Sequence, residues 1–488
     1  MLTGSGEDKL VRKMPGSTPP QASFGRDMTT GSIPRHLVAF SLPMLAGNAL
    51  QTAYSFINAI WVGRFLGKTA LAAVTVSFPI VFVLMALGAG LTLATNILVS
   101  QEYGGQNFAG VRRVVQNSTA LLTVLALALV AAGEFFAGHI LRAMGTPPDV
   151  FGPAVAYLRI FFLSMIPSFW LFLTRAMLLG IGDSTTPLSF LSVSVLLTAI
   201  LDPVLMFGWL GFPALGLNGT AWAAVIAQTT GLWLLVVHLK NKRSPVRPSL
   251  GLSGFHLPTT AVTVRIGIPS AVQQSLVSLG MVFVTGIVNS FGEDATAAFG
   301  VGSRIDQLAF MPAMTLSMAV ATVAGQNIGA RRYERIREIF WWGCLISCGI
   351  TLCVSALAVS APGHLASIFT TDAAVIGLAT RYLRIVGSCY GFFAVMFISN
   401  GIINGAGHTL VTTAFSLVSL WVVRVPVAYV LSRRMGGVEG VWYAMGLSFF
   451  ISMASSIAYY RTGRWRTPVG VRKPVVPVAA FGEETGEA

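Results

Sequence analysis

The chain has 488 residues, 54% of them hydrophobic and only 10% charged, with a mean hydropathy of +0.73. A soluble domain carries roughly 25% charged residues, so an ordinary water-soluble fold is excluded and lipid is the solvent for most of this chain. The formal charge of +14 would suit a nucleic-acid partner, but the basic residues cluster between apolar runs, where membrane topology places them, and no nucleic acid is expected.

The first 35 residues are polar, rich in Gly, Ser, Thr and Pro, and lack the apolar core of a signal peptide; 1–35 is expected to be a disordered tail. About twelve segments of spanning length follow, about 20 residues being needed for each. In the first half they lie near 36–63, 70–99, 114–140, 151–179, 186–207 and 216–239. In the second half they lie near 262–290, 297–324, 338–361, 373–403, 409–432 and 438–460. The expected fold is thus an all-α integral membrane protein with two six-helix lobes, 36–240 and 262–460. A polar linker, 241–261, joins them, and 461–488 forms a second tail expected to be disordered.

Basic residues set the orientation. Lys9, Arg12, Lys13, Arg26 and Arg35 precede the first span, Arg112 and Arg113 follow the second, and Arg331, Arg332, Arg335 and Arg337 follow the eighth. With the basic linker and tail, these place both termini in the cytoplasm of a cell whose inner membrane holds the protein. Cys344, Cys348, Cys353 and Cys389 all fall inside spans without nearby His or carboxylate partners, and read as small packing residues. No metal or cofactor is expected.

One unit is written twice. Tyr157-Leu158-Arg159-Ile160 returns as Tyr382-Leu383-Arg384-Ile385, 225 positions later, and the same offset carries Gln101 to Gln326, Gly104 to Gly329 and Gly180 to Gly405. Six spans return the chain to its starting side, so the repeat is parallel, with both halves inserted in the same orientation. The loops around Gln101 and Gln326 read as structural, their glycines permitting sharp turns. The stretch Gly182 to Pro187 reads as a helix start, capped by Asp183 or Ser184.

Asp202 stands within an apolar span. A charge at a lipid-facing helix centre costs about 2.5 to 3.5 kcal/mol on insertion scales, so it should face the lobe interior or a water-filled cavity. A carboxyl there can bind and release a proton; the bland reading is that it supports a local break made by Pro203. Gln51, Tyr54 and Asn58 are three or four apart and share one face of the first helix, a stripe that could point at Asp202. Asp306 lies beside Arg304, either as an anchoring Arg/Asp pair or as a second functional acid. Arg424 precedes Val425-Pro426 at almost the repeat position of Asp202, where a cation stabilises an internal anion or pins a broken helix. Pro43, Pro203 and Pro269, with Pro79, Pro312 and Pro426, can bend their spans.

Pro43 through Gly67, together with Leu201-Asp202-Pro203 and Gly180-Ile181-Gly182-Asp183, resembles the first helix, fifth helix and preceding turn of the multidrug and toxic compound extrusion family. The likeness covers nearly the whole chain between the tails. It implies two lobes that alternate between outward and inward openings, exporting lipophilic organic cations against inward H+ or Na+. It also implies a first-lobe polar network, onto which Gln51, Asp202 and Thr220 map. Two positions depart from that pattern: Asn58 stands where the first-helix aspartate is expected, and Thr198 where a fifth-helix asparagine is expected. The span-seven glutamate of another branch is also missing, leaving Gln273 and Gln274 there. With one acid absent, the resemblance favours H+ over Na+ as the coupling ion, through Asp202.

The expected partners are the bilayer and small amphipathic or cationic molecules, bound by a monomer. A flippase for a lipid-linked or polyisoprenoid substrate is the alternative on a related two-lobe fold, although few Lys or Arg lie inside spans to bind phosphate. No HExxH pair, credible Ser/His/Asp set or Walker-type loop marks an enzyme or a primary pump.

Overall fold

Backbone polar groups in lipid must be satisfied within their own segment, which makes helices of apolar runs. The computed structural model describes residues 25–242, 244–248, 255–467 and 469, and over these the chain is helical with no strand. The first lobe comprises α1 (Ile33–Phe65), α2 (Gly67–Gly104), α3 (Phe108–Ala143), α4 (Pro148–Gly180), α5 (Thr185–Phe207) and α6 (Leu217–Asn241). The second comprises α7 (Leu257–Asn289), α8 (Glu293–Gly329), α9 (Glu334–Ser360), a short α10 (Pro362–Ser367), α11 (Ala373–Gly387), α12 (Tyr390–Gly405), α13 (Thr409–Leu417), α14 (Val425–Met435) and α15 (Glu439–Thr462). Among the described residues ten helical segments are long and apolar enough to cross a membrane, or eleven with the bent pair α11 and α12 counted as one span; the 33-residue α1 is a further long helix.

Two expected single spans are interrupted. The tenth bends by 45° between α11 and α12, where the carbonyl of Gly387 is taken by the Ser355 hydroxyl at 2.7 Å. A side-chain hydroxyl thus replaces the helical donor lost at the break. In the eleventh, a π-helical stretch, Val418–Arg424, separates α13 from α14. It precedes Pro426, which has no N–H to give the preceding turn.

Three apolar cores hold the bundle. One is built mainly from the first lobe around Leu158, Phe162 and Phe169, with Ile266 of α7 joining it, and one within the second around Tyr382, Tyr390 and Trp442. The third joins the lobes, packing Phe40, Met44 and Leu179 against Val320, Ile398 and Ile402.

The tails are more ordered than expected next to the bundle. Residues 25–31 form a strap across its end. The Arg26 N–H donates to Ile181 O at 2.9 Å, the buried Met28 donates to Gln326 Oε1 at 3.0 Å, and Arg332 and Arg335 donate to the carbonyls of Thr29 and Gly31, each at 2.8 Å. A polar segment is ordered here because its backbone groups find partners at the helix ends. Beyond α15, Trp465 is buried and donates to Tyr460 O at 2.8 Å, and the Val469 N–H donates to Ala406 O at 3.0 Å. The expected disorder of 1–24 and 470–488, and part of the linker, lies outside the described residues.

The lobes meet most closely where α2 and α8 end. A Cβ on Gly104 would collide with the Gln326 carbonyl, and a Cβ on Gly329 with the Gln101 carbonyl. Glycine is required at both because backbone lies directly against backbone. Further along the seam, Thr322 donates to Asn96 Oδ1 at 3.1 Å and Asn48 donates to Thr315 Oγ1 at 2.9 Å. Among the described residues no hydrogen bond joins the lobes beyond that level, toward the turns at Leu66 and Gly292, so the bundle is clasped at one end.

Candidate coupling site

Asp202 sits near the end of α5, directly before Pro203, and is 0% exposed. Its Oδ2 accepts from Asn58 Nδ2 at 2.9 Å and from the Tyr54 hydroxyl at 3.1 Å. Its Oδ1 is buried with no partner. Four residues separate Tyr54 from Asn58, so both project from one face of α1 onto the same carboxyl oxygen. Tyr157 of α4 lies close enough for electrostatic interaction with Asp202.

The other first-lobe residues singled out in the sequence do not join this network. The Gln51 side chain is exposed and makes no hydrogen bond among the described residues, although its backbone carbonyl accepts from Ser55 Oγ at 3.0 Å. Thr198 and Thr220 are buried, but their hydroxyls bond back into their own helices, to Ser194 O at 2.7 Å and Leu217 O at 2.9 Å. A threonine in an apolar helix satisfies itself on the preceding turn, which removes it from a cross-helix network.

In the second lobe Asp306 of α8 is buried, and both of its oxygens are occupied. Oδ2 accepts from the Tyr382 hydroxyl, and Oδ1 from the Tyr390 hydroxyl at 2.6 Å. Arg424 is within electrostatic reach of Asp306; its Nε donates to Ser448 Oγ at 2.7 Å and its guanidinium lies 4.8 Å from the Phe449 ring centroid. The sequence places Arg304 beside Asp306, but the two form no pair. Residues two apart on a helix face different ways, and Arg304 is exposed, 5.7 Å from the Phe369 ring centroid. Gln274 is likewise exposed without a side-chain hydrogen bond among the described residues, whereas its neighbour Gln273 donates to Ser416 Oγ at 2.6 Å.

Pro43, Pro203 and Pro269 lie inside α1, α5 and α7. Around Pro269 the carbonyls of Ile266 and Pro269 accept from Thr409 at 2.7 Å and Thr413 at 3.0 Å, a second case of hydroxyls supporting a proline-interrupted helix.

Tyr157 and Tyr382 were visible in the sequence as the repeated tetrapeptide, yet only as evidence of duplication. The structure bonds the Tyr382 hydroxyl to its lobe's buried acid and leaves Tyr157 within electrostatic reach of the other. Tyr390 carried no such signal. The two acids come from different spans, α5 in one lobe and α8 in the other, so the scaffold is duplicated but the polar sites are not.

Comparisons with known proteins agree with this architecture. The MatE family model matches residues 43–204 and again 269–430, one copy in each lobe. The chain is 31% identical over 447 residues to the probable multidrug resistance protein YpnP of Bacillus subtilis, covering 90% of this chain and 97% of that one. It is 32% identical over 434 residues to the probable multidrug resistance protein YoeA of the same organism, covering 88% and 94%. Among solved structures, an outward-facing multidrug resistance MATE family transporter of the MOP superfamily superposes with a TM-score of 0.80 at 23% identity, over 90% of this chain and 97% of that chain. Two matched copies, two helical lobes and full-length relatives lead to one conclusion: the chain belongs to the MatE family, the multidrug and toxic compound extrusion transporters.

Proposed function

We propose that the protein is a secondary active exporter of lipophilic, cation-bearing organic molecules, driven by inward movement of H+ across the cell membrane, with Asp202 as the coupling acid. The observation that carries this reading is the half-satisfied carboxyl: two donors fix Oδ2 while Oδ1 is left without a partner in a buried site. A group held in this way can exchange a proton on the free oxygen while its position is kept by the other. Sodium fits less well. A hard cation takes several oxygen ligands, whereas Asn58 presents its N–H to this carboxyl, and Asp202 and Asp306 are the only buried carboxyls among the described residues. The names of YpnP and YoeA support drug-like substrates.

Alternating access requires only that binding and release of the proton bias which end of the bundle is clasped. One charge moving across 100 mV supplies roughly 2.3 kcal/mol, enough for a more than tenfold concentration ratio. The test is reconstitution in lipid vesicles with ethidium as the transported dye, under an imposed pH gradient or an imposed Na+ gradient. Transport driven by the pH gradient alone is expected. Na+-driven transport would move the coupling chemistry elsewhere, and no dye movement under either gradient would favour the flippase.

A further inference from the structure

Arg175 is an intramembrane cation that the coupling scheme leaves unused. It lies on α4, five residues before the helix ends at Gly180, and is partly exposed. Because Cα–Cβ bonds tilt toward a helix's N-terminus, its side chain is directed into the bundle and away from the nearer membrane surface. It reaches Asn48, near the middle of the 33-residue α1, where its Nη2 donates to Oδ1 at 3.2 Å. The Asn48 amide nitrogen in turn donates to Thr315 Oγ1 on the opposite lobe. Arg175 therefore stands at the seam, at the level where the hydrogen bonds between the lobes end.

Among the described residues no acid pairs with it. The ion pairs among the described residues are Arg159 with Glu134 and Arg381 with Glu439, and neither includes Arg175. A guanidinium has five N–H donors, and one is used here, on a neutral amide. Arg424, the comparable cation of the second lobe, has Asp306, Ser448 and Phe449 around it. The fold does not demand a cation at this position either: the repeat mate of Arg175 is Asn400, a neutral residue whose Oδ1 accepts from Ser456 at 2.8 Å. A cation at membrane depth is costly unless water or an anion meets it, and among the described residues no acid does so.

We propose that Arg175 is a substrate-binding residue that takes an anionic group, a carboxylate or phosphate, on the exported molecule. This rests on the transporter reading above and adds to its cationic substrates compounds that carry an acidic group as well as a cationic one. The first helix supplies the spacing: Asn48 at Arg175 and Asn58 at Asp202 are ten residues apart, about 15 Å along an α-helix, with Gln51 and Tyr54 between them. A molecule lying along α1 meets a cation at one end of this strip and a carboxyl at the other.

The test uses two dyes that differ only in the acid: tetramethylrhodamine methyl ester, a cation, and tetramethylrhodamine, its free carboxylic acid. Binding to the purified full-length protein is followed by fluorescence anisotropy for wild type, Arg175→Gln and Arg175→Lys. Arg175→Gln is expected to weaken binding of the free acid about tenfold while changing the ester by less than about twofold. Arg175→Lys keeps the charge but loses the guanidinium fork, so it should weaken only the acid and by less; it also serves as the reading if Arg175→Gln does not fold. Equal weakening of both dyes would show that Arg175 merely pins the seam, and no change in either would show that it does not meet ligand; each overturns the proposal while leaving the transporter reading intact. Failure of wild type to bind either dye would overturn both.

Discussion

Gln101 of the first lobe donates to the carbonyl of Gly405 in the second at 2.8 Å, and its repeat mate Gln326 donates to the carbonyl of Gly180 in the first at 3.0 Å. Gly180 and Gly405 end α4 and α12 and are themselves separated by the 225-residue offset. The last carbonyls of a helix lack a partner within it, so each lobe caps the other's exposed helix end with a buried amide. The strength of the clasp resides in these reciprocal caps together with the glycine contacts beside them. Opening this end of the bundle requires both amides and both carbonyls to be rehydrated.

Removing one cap should therefore shift the balance between the two openings. Gln101→Ala or Gln326→Ala is expected to weaken the clasped state by about 1 to 3 kcal/mol, the cost of leaving a buried group unpaired. Spin labels at Leu66 and Ser290, on the turns at the far end, report the change by pulsed electron resonance as a larger population at short distance. An unchanged distance distribution in both variants would show that the clasp does not control the opening.

The glycines beside the caps make a sharper prediction. Gly104→Ala or Gly329→Ala drives a methyl group into the opposing backbone carbonyl, which no side-chain rotation relieves. Each variant should lose the clasped state in the same distance measurement, and dye transport in vesicles should fall more than tenfold. Wild-type transport in either variant would contradict the backbone-to-backbone seam.

The strap at residues 25–31 bonds to both lobes, to Ile181 on one side and to Gln326, Arg332 and Arg335 on the other. Deleting residues 1–31 should favour the unclasped state in the direction of the glutamine variants, whereas deleting 1–24 should not. The same spin-label pair distinguishes the two truncations.

The buried acid of the second lobe is fully hydrogen-bonded, which fits a structural role. Tyr390→Phe removes one of its two phenol donors and is expected to cost about 1 to 3 kcal/mol of stability, read as a lower midpoint of thermal unfolding in detergent. Proton-driven transport should persist. Loss of transport with an unchanged unfolding midpoint would instead make Asp306 a second coupling group.

In the proposed scheme Asn58 is the residue that favours protons over Na+. Asn58→Asp would place a second carboxyl within reach of Asp202, giving two acids and the Tyr54 hydroxyl as oxygen ligands for a cation. Addition of Na+ is expected to inhibit proton-driven dye efflux in this variant and to leave wild type unaffected.

The helical architecture was legible because two strong signals coincide in the sequence. Apolar runs of spanning length mark the membrane-crossing segments, and the 225-residue repeat gives their grouping into two lobes. The stripe of Gln51, Tyr54 and Asn58 and a meeting with Asp202 could be read from helical periodicity and from the cost of a charge in lipid, and two of the three, Tyr54 and Asn58, reach that carboxyl. Helix breaks were less legible, because Gly387-Ser388 and the π turn before Pro426 interrupt runs that remain apolar throughout. That Thr198 and Thr220 bond within their own helices was not legible, because a hydroxyl that bonds its own preceding turn looks the same in sequence as one that reaches a neighbouring helix. The Arg304–Asp306 pair, one of two readings the sequence left open, does not form, because sequence adjacency says little about direction on a helix. Arg175 and Asn48 escaped notice because their meaning comes from α4 meeting α1 at the lobe seam, a contact that no local pattern encodes.

Proton coupling as proposed requires Asp202 to carry the exchanged proton. The direct measurement is proton release into weakly buffered detergent solution when tetraphenylphosphonium is added to the purified protein, comparing wild type with Asp202→Asn. Wild type is expected to release protons on binding, and Asp202→Asn, in which no carboxyl remains between Tyr54 and Asn58, to bind without release. Equal proton release from both proteins would contradict the assignment and place the coupling group elsewhere.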